Sequence, residues 1–490
     1  MANTIRKKDN ADSSPKAATP RESTVEEPEL YSARTTRTVA GRDARKLVPR
    51  TTQANIVVED RPDPIQLLQG QAASRLHDLV PIRYGRMLAT PFTFYRGAAL
   101  VMASDLSRTP NSGLHVQLCG DAHLSNFGFY STPERNLAFD INDFDETYPG
   151  PFEWDVKRLA GSVSVAGLVN GHSAKARRAA VLASVAGYRE EMLRLSTLGN
   201  LGVWYSHADV PGLLAEITSQ LDRKRSSIAG SFLAKAKFRD NVDALRKLSI
   251  QVDGRTRIRS DPPLLVPVEE LLDDDTSIGL YNGITAMITS YRRTLSSDRR
   301  HLLDQFEFVQ MARKVVGVGS VGTRAWILLF AGIDAADPLF LQAKEAQRSV
   351  LADYVKGVRQ VNDGQRVVYG QRLLQATSDI FLGWQRVDGI DGRQRDFYVR
   401  QLRDGKASVA VEEMQPDGLA FYAKVCGQTL ARGHARSGDR VAIAAYLGSG
   451  TTFDNAIADF ASDYTDLTVK DHAELQAASD DGRITAIMGL

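Results

Sequence analysis

The sequence is poor in cysteine: Cys119 and Cys426 are the two thiols among 490 residues. So far apart, they make neither a disulfide framework nor a cysteine metal cluster; each reads as a small buried hydrophobe suited to a reducing cytoplasm. Long apolar runs are missing as well. The longest, Ala325 to Ile333, is far below the roughly 20 residues a membrane span needs. Arg6, Lys7 and Lys8 lead into no apolar stretch, so neither a secretory signal nor a membrane anchor is expected, and the protein reads as cytoplasmic. Excess charge of either sign is also lacking. A formal net charge of +2 indicates no surface built to track nucleic-acid phosphates. What is present is ordinary for a globular chain: 43% hydrophobic and 24% charged residues, enough for two or three domains with real cores.

Residues 1–50 carry Ser, Thr, Pro, Ala and mixed charge with almost no aromatics, too little apolar area to offset ordering entropy, so a disordered tail is expected there. In the next stretch Phe92-Thr-Phe-Tyr-Arg-Gly97 reads as a strand or buried loop, and Leu114–Leu118 and Leu137–Phe139 read as short strands. After Pro149-Gly-Pro151 the pattern turns helical. Val181, Val185, Tyr188, Met192 and Leu195 recur at steps of three and four, which is one apolar helix face. Further helices are expected across 211–250 and 268–313. Between about 314 and 412 the segments Trp326–Phe330, Leu339–Leu341 and Phe397–Val399 read as strands, and the chain from about 416 is helical again.

Chemistry-bearing residues gather just past strand ends, where loops commonly carry function. Residues 118–128 read Leu-Cys-Gly-Asp-Ala-His-Leu-Ser-Asn-Phe-Gly, and Asp140-Ile-Asn-Asp-Phe-Asp-Glu146 follows. Asp121 and Asn126 are five apart and Asp143 comes 22 residues after Asp121. That spacing can set a proton acceptor and two metal ligands around one phosphate, which is what phosphoryl transfer needs. Asp121 is the candidate base, Asn126 and Asp143 the candidate metal ligands, and Asp145 a candidate assistant. Asp140, Asp143 and Asp145 would repel one another unless a divalent cation or the solvent of an exposed turn relieved them. His123 either organises the loop by hydrogen bonding or ligates metal. Asp155 either accepts N–H bonds from the catalytic loop or caps the helix beginning near Val156, and one Asp can do both.

A third feature lies far downstream. In Val315-Val-Gly-Val-Gly-Ser-Val-Gly-Thr323, Gly317, Gly319, Ser320 and Gly322 can bring backbone N–H groups to phosphates, with Lys344 on the next strand as charged partner. A flexible turn with a surface lysine is the plain alternative. Arg96, Lys157, Arg158 and Arg400 are spare cations that can assist phosphates, Arg400 being the one counted with the nucleotide-binding residues, while surface or structural ion pairing is the plain reading of each one singly.

The Gly-Asp-x-His-x-x-Asn loop, the Asp-Phe segment and the later Asp resemble the protein-kinase-like superfamily, especially its aminoglycoside and small-molecule phosphotransferase branch. Asp121, Asn126, Asp143 and Asp155 match that pattern position by position. From about residue 60 the chain also resembles an uncharacterised bacterial family, domain-of-unknown-function family 2252. The residues that carry this second resemblance include Phe94-Tyr-Arg-Gly97, Cys119–Gly128, Asn142–Thr147, Glu153-Trp-Asp-Val-Lys-Arg158, Tyr398–Leu402 and His434-Ala-Arg436. The kinase resemblance implies an α+β fold of two lobes, a mostly helical catalytic lobe and a small antiparallel β lobe that clamps a nucleotide. It also implies ATP and Mg²⁺, with phosphoryl transfer to an unidentified hydroxyl of a small molecule or protein.

The order of the parts departs from that pattern, because the glycine loop and its Lys follow the catalytic loop, and no Lys occurs between Lys46 and Lys157. A circular permutation is therefore expected: residues 51–313 catalytic, 314–412 clamping, and 413–490 packing back on the catalytic region. It requires Lys344 Nζ to lie within a ligand-sized gap of the Asp143 carboxylate. The usual helix Glu partner for that Lys is missing, since no Glu follows Glu345 until Glu412, which leaves Asp353 or Glu345 itself. Transfer of AMP, nucleotide binding without catalysis, and metal-dependent phosphoester hydrolysis are the alternative functions; the last needs several histidine ligands that the spacing does not supply.

Overall fold

Helix α1 (Arg34–Leu47) opens the described part of the computed structural model, which covers residues 33–490 apart from 209, 211, 213–240, 254, 272–282, 285, 335, 356–360, 389–392 and 403–406. Residues 1–32 of the expected tail, and most of the helical stretch expected over 211–250, lie outside the described residues. The tail ends sooner than composition suggested. Gly41 and Ala44 are buried, and a Cβ on Gly41 would sit 2.1 Å from the carbonyl oxygen of Ala442, so tertiary packing orders a segment whose own composition would not.

Four short helices follow, α2 (Pro64–Ala72), α3 (Val80–Leu88), α4 (Pro91–Gly97) and α5 (Ala99–Ser107). Helix α4 corrects the strand or loop read over Phe92–Gly97. Thr90 and Thr93 form a reciprocal cap, Thr93 N donating to Thr90 Oγ1 at 3.1 Å and Thr90 N to Thr93 Oγ1 at 2.9 Å, with Pro91 at the first helical position. Those start signals outweigh the aromatic, strand-like composition.

Strands β1 (His115–Leu118) and β4 (Tyr148–Pro151) pair antiparallel around the hairpin of β2 (Phe127–Ser131) and β3 (Leu137–Ile141). Helices α6 (Phe152–Val169) and α7 (Ala174–Ser196) come next. The apolar face read on α7 is buried throughout: Val181, Val185, Tyr188, Met192 and Leu195 are each at most 1% exposed.

Then follow α8 (Asn200–Trp204), α9 (Asn241–Leu248), the small hairpin of β5 (Ser249–Val252) and β6 (Arg255–Ile258), β7 (Leu265–Pro267), α10 (Ser297–Leu303), β8 (Glu307–Lys314), β9 (Ala325–Ala331) and β10 (Pro338–Ala346). Helix α11 (Asp363–Leu374) precedes β11 (Gly383–Asp388), β12 (Gln394–Gln401) and the two-residue β13 (Ala407–Ser408). The chain ends in α12 (Pro416–Ser437), α13 (Arg440–Leu447) and α14 (Thr452–Asp480), which pack against α6 and α7 around the largest core.

An antiparallel sheet of six strands, in the order β11-β12-β10-β9-β8-β7, organises the second half. It takes in Leu265–Pro267, which no expected element covers, and Glu307–Lys314, which corrects the end of the helical stretch expected over 268–313. The apolar residues of β8 support a strand only when β9 is beside them, and an irregularity between Phe308 and Gln310 breaks its alternation, so periodicity alone misleads there. The fold is α+β with small antiparallel sheets. Among the described residues no helix is long and apolar enough to cross a membrane.

Strand alternation sorts β10 and β12 into two chemistries. Leu341, Ala343, Phe397 and Val399 point into an apolar cluster with Leu328 and Phe330. The opposite face carries Gln342 paired with Arg400, and Lys344 paired with Tyr398. That polar face meets the acidic loop after β3.

Candidate active site

The loop after β1 is held from behind by one carboxylate. Asp155, in the first turn of α6 and 1% exposed, accepts the Cys119 N–H at 2.8 Å and the Gly120 N–H at 3.1 Å. Its Oδ2 also meets His434 Nε2 of α12 at 3.1 Å, and His434 Nδ1 meets the Tyr188 hydroxyl of α7 at 2.9 Å. Pro151, not Asp155, occupies the N-cap of α6. Gly120 has φ +85°, and a Cβ there would lie 2.1 Å from the carbonyl oxygen of Glu146; any other residue would be strained and would collide with the acidic loop.

Past that turn Asp121 faces the cavity, paired with Arg158. Arg158 Nε donates to Asp121 Oδ1 at 2.8 Å, and Nη2 donates to the carbonyl of Tyr95 at 2.7 Å. The guanidinium lies 4.0 Å from the centroid of the Tyr95 ring. Burial pushes the Asp121 carboxyl up to about 6, and the neighbouring Arg158 keeps it from rising further. Arg158 is thus an ion-pairing residue, as read, and its partner is the candidate base. Helical periodicity held the signal, because Arg158 follows Asp155 by three residues and shares its face of α6.

His123 lines the same cavity, its Nε2 3.7 Å from Asp121 Oδ2. Burial, with Arg96 and Arg158 nearby, holds its pKa well below the ordinary value, so it is neutral. Its backbone shapes the loop: His123 N donates to the Asp121 carbonyl at 2.8 Å, and Asn126 N to the His123 carbonyl at 2.9 Å.

The β2–β3 register brings the two acidic loops together. Phe127 pairs with Ile141, so Asn126 and Asn142 are adjacent, and Asn142 N donates to the Asn126 carbonyl at 2.8 Å. The Asn126 side chain donates through Nδ2 to the Asp121 carbonyl at 2.7 Å, which leaves its Oδ1 as the atom for a cation.

Across from these loops stands the polar face of the sheet. Lys344, 2% exposed, pairs with Asp145 and lies 3.6 Å from Asp143 Oδ2. Burial opposes its charge, but those two carboxylates outweigh it and raise the ammonium above its ordinary value. Asp145 also accepts from the Tyr398 hydroxyl at 2.7 Å and from Ser320 Oγ at 3.1 Å. Lys344 thus finds its acidic partners in the loop after β3. The candidates read for that role lie elsewhere: Glu345 binds Arg324, with Nη1 at 3.3 Å and Arg395 Nε at 3.6 Å, and Asp353 pairs with Arg348. Arg400 Nη1 donates to the Asn142 carbonyl at 3.1 Å, clamping the backbone of the acidic loop from below.

All this borders one cavity of about 570 Å³, lined by Asp121, His123, Asn126, Asp143, Asp145 and Glu146 on one side and by Gly317, Gly319, Ser320 and Thr323 on the other. Its size suits a small-molecule ligand. Lys344, Arg400, Asp155 and Gly322 stand behind that lining rather than in it. Gly317 and Gly322 take positive φ, +62° and +88°, and the loop is pinned to the first helices, with Arg86 donating to the Gly317 carbonyl and Leu76 N to the Gly322 carbonyl at 2.8 Å.

Sequence reasoning missed Arg75, which lines the cavity from the turn after α2, and Glu146, whose burial pushes its carboxyl up to about 7; Arg96, one of the cations the sequence offered, lines the cavity from α4. No motif marks Arg75, whereas Glu146 closes the acidic run read after β3. Among the described residues no three His, Cys, Asp or Glu side chains are grouped to hold a metal. The residues present fit a magnesium ion of the kind that takes one or two protein oxygens and completes its shell with water and phosphate. Asn126 and Asp143 supply those oxygens, whereas Asp145 is already engaged by Lys344, Tyr398 and Ser320.

An α+β protein with a cavity walled by carboxylates on one side and a glycine loop on the other is the class that fold and site define. The chain belongs to the family described as an uncharacterized protein conserved in bacteria, DUF2252, whose family model matches residues 75–478. No curated protein and no solved structure matches it.

Proposed function

We propose that this protein is an ATP- and magnesium-dependent phosphotransferase with a permuted kinase-like arrangement. The observation that carries the reading is the meeting of Lys344 with Asp143 and Asp145 across 199 residues of chain, beside a cavity that also holds Asp121 and the glycine loop. In this reading the glycine loop and Lys344 receive the triphosphate. Magnesium, held by Asn126 and Asp143, would neutralise phosphate oxygens. Asp121 takes the proton of the acceptor hydroxyl as its oxygen attacks the γ-phosphorus, and the bond from that phosphorus to the β-phosphate oxygen breaks, so that ADP leaves with the electron pair. Arg158 orients Asp121 and favours its ionised form.

Thermal-shift titration with MgATP tests the binding half, and product analysis tests the chemistry: the reading expects ADP, not pyrophosphate. Asp121→Asn should abolish transfer and leave MgATP affinity within about twofold. Undiminished turnover in that variant counts against Asp121 as the base, and absence of any MgATP-dependent stabilisation counts against the whole reading.

A further inference from the structure

Arg96 belongs to the segment Phe94-Tyr-Arg-Gly97, which the phosphotransfer reading leaves unused. It lines the cavity. Its Nε is buried without a hydrogen-bond partner, and no carboxylate lies within ion-pair distance among the described residues. The carboxylates that act on it from further off are Glu412 and Asp121. Lys344, by contrast, is held by Asp143 and Asp145. The two cations thus serve different carboxylates, with Arg96 beside the candidate base and Lys344 beside the candidate metal ligands.

Two further features line the same cavity as Arg96. Helix α5 has Ala98 at its N-cap and no side-chain cap, and its first residues, Ala99 and Leu100, line the cavity. The amino end of a helix presents free N–H groups and the positive pole of its dipole. His123, 4% exposed, lines the same cavity, and its Nδ1 has no hydrogen-bond partner. A neutral imidazole can donate from that nitrogen. A guanidinium with a buried Nε that has no hydrogen-bond partner and no carboxylate in ion-pair contact, an uncapped helix start and a buried ring nitrogen without a partner are costly to leave together in a partly buried wall unless an anion completes them.

We propose that Arg96, His123 and the amino end of α5 form an oxyanion subsite for the acceptor, which is an alcohol bearing its own phosphate or carboxylate. The assignment of that anion to the acceptor rests on the phosphotransferase reading; the existence of the subsite does not. With its charged group held there, the acceptor presents its hydroxyl to the adjacent Asp121. A neutral polyol would leave the subsite empty and bind poorly.

The test uses the full chain, with a non-hydrolysable ATP analogue and magnesium at saturation, titrated separately with inorganic phosphate, acetate and glycerol. Stability is read by thermal shift and affinity by calorimetry. Phosphate or acetate should bind saturably and glycerol should not; Arg96→Gln should weaken the anion about tenfold or more, and Arg96→Lys less. Affinity for the ATP analogue should stay within about twofold in both variants. The Lys variant keeps the test decisive should Arg96→Gln fail to fold. The proposal is overturned by unchanged anion affinity in the variants, by absence of anion binding to the wild type, or by loss of nucleotide affinity in place of anion affinity. Anion binding through Arg96 in a protein that binds no nucleotide would keep the subsite and reject the phosphotransferase reading.

Discussion

Replacing Asp155 by alanine tests the scaffold of the site without any assumption about substrate. The carboxylate accepts from Cys119 N, Gly120 N and His434 Nε2. Alanine leaves all three without an acceptor. A buried donor stripped of its partner costs about 1–3 kcal/mol. Cys119 and His434 are closed to water, at 1% and 0% exposure, so each bears most of that cost, whereas Gly120 is only partly buried and regains a water. The sum is about 3–5 kcal/mol, in line with breaking a buried charged network. Asparagine keeps one carbonyl oxygen but turns an amide toward the other donor, so Asp155→Asn should lose roughly half as much. Urea unfolding followed by tryptophan fluorescence reads the difference from the shift in midpoint at constant slope. An alanine variant within about 1 kcal/mol of wild type would refute the claim that this carboxylate holds the loop.

Lys344→Met should destabilise the fold by about 1–3 kcal/mol, because the half-buried Asp145 loses its cation while water reaches it from the cavity; the further change Asp145→Asn should recover part of that stability without restoring any response to MgATP, as read by thermal shift. Acidity should act on stability against the usual sense near neutrality. The folded-state pKa values of Asp121, about 6 against an ordinary 3.8, and Glu146, about 7 against 4.5, are both raised. Those two carboxyls bind more protons folded than unfolded over that window and favour the fold by roughly 2–3 kcal/mol as pH falls from about 7.5 to about 5.5, a rise partly offset by His123, whose imidazole takes up a proton only when unfolded. Denaturant midpoints across that range check it, and the rise should shrink in a Glu146→Gln variant. Transfer activity should move the other way, falling as Asp121 is protonated below pH of about 6, which a pH profile of kcat/KM reads.

Legibility in the sequence followed the distance over which each element is decided. That Asp121, Asn126 and Asp143 meet in one cavity was readable because they lie within one short loop and its neighbour, and the β2–β3 register sets those loops side by side. Asp155 was readable as a loop anchor because an acid in the first turn of α6 is within reach of that loop. Lys344 was readable as a strand residue next to a glycine loop, but its partners were not, since nothing local says that the polar face of β10 meets residues 143–145. Helix α4 was lost because aromatic composition was weighed above the Thr90–Thr93 cap, and β8 because its pairing with β9, not its own pattern, makes it a strand. Arg75 was unreadable as a site residue: it is a single cation in the turn after α2, and only the packing of that turn against the glycine loop brings it to the cavity. Arg96 was readable as a spare cation, but nothing local says which charge it faces.

The same charges that define the cavity also join the two halves of the chain. Without the sheet, Asp145 would lose the Lys344 ammonium, the Tyr398 hydroxyl and the Ser320 hydroxyl together. Without the acidic loop, Lys344 would be a buried cation facing no carboxylate, and Arg366 Nη1 would lose the carbonyls of Asp145 and Thr147, which it meets at 2.9 and 2.8 Å. Neither half can bury its polar face alone at tolerable cost, since an uncompensated buried charge costs several kcal/mol. Association of residues 115–151 with the sheet is therefore tied to completion of the site, and a ligand that competes for Lys344 or Asp145 acts directly on the seam between them. Occupancy of the cavity and rigidity of that seam should consequently rise and fall together, because one set of side chains sets both.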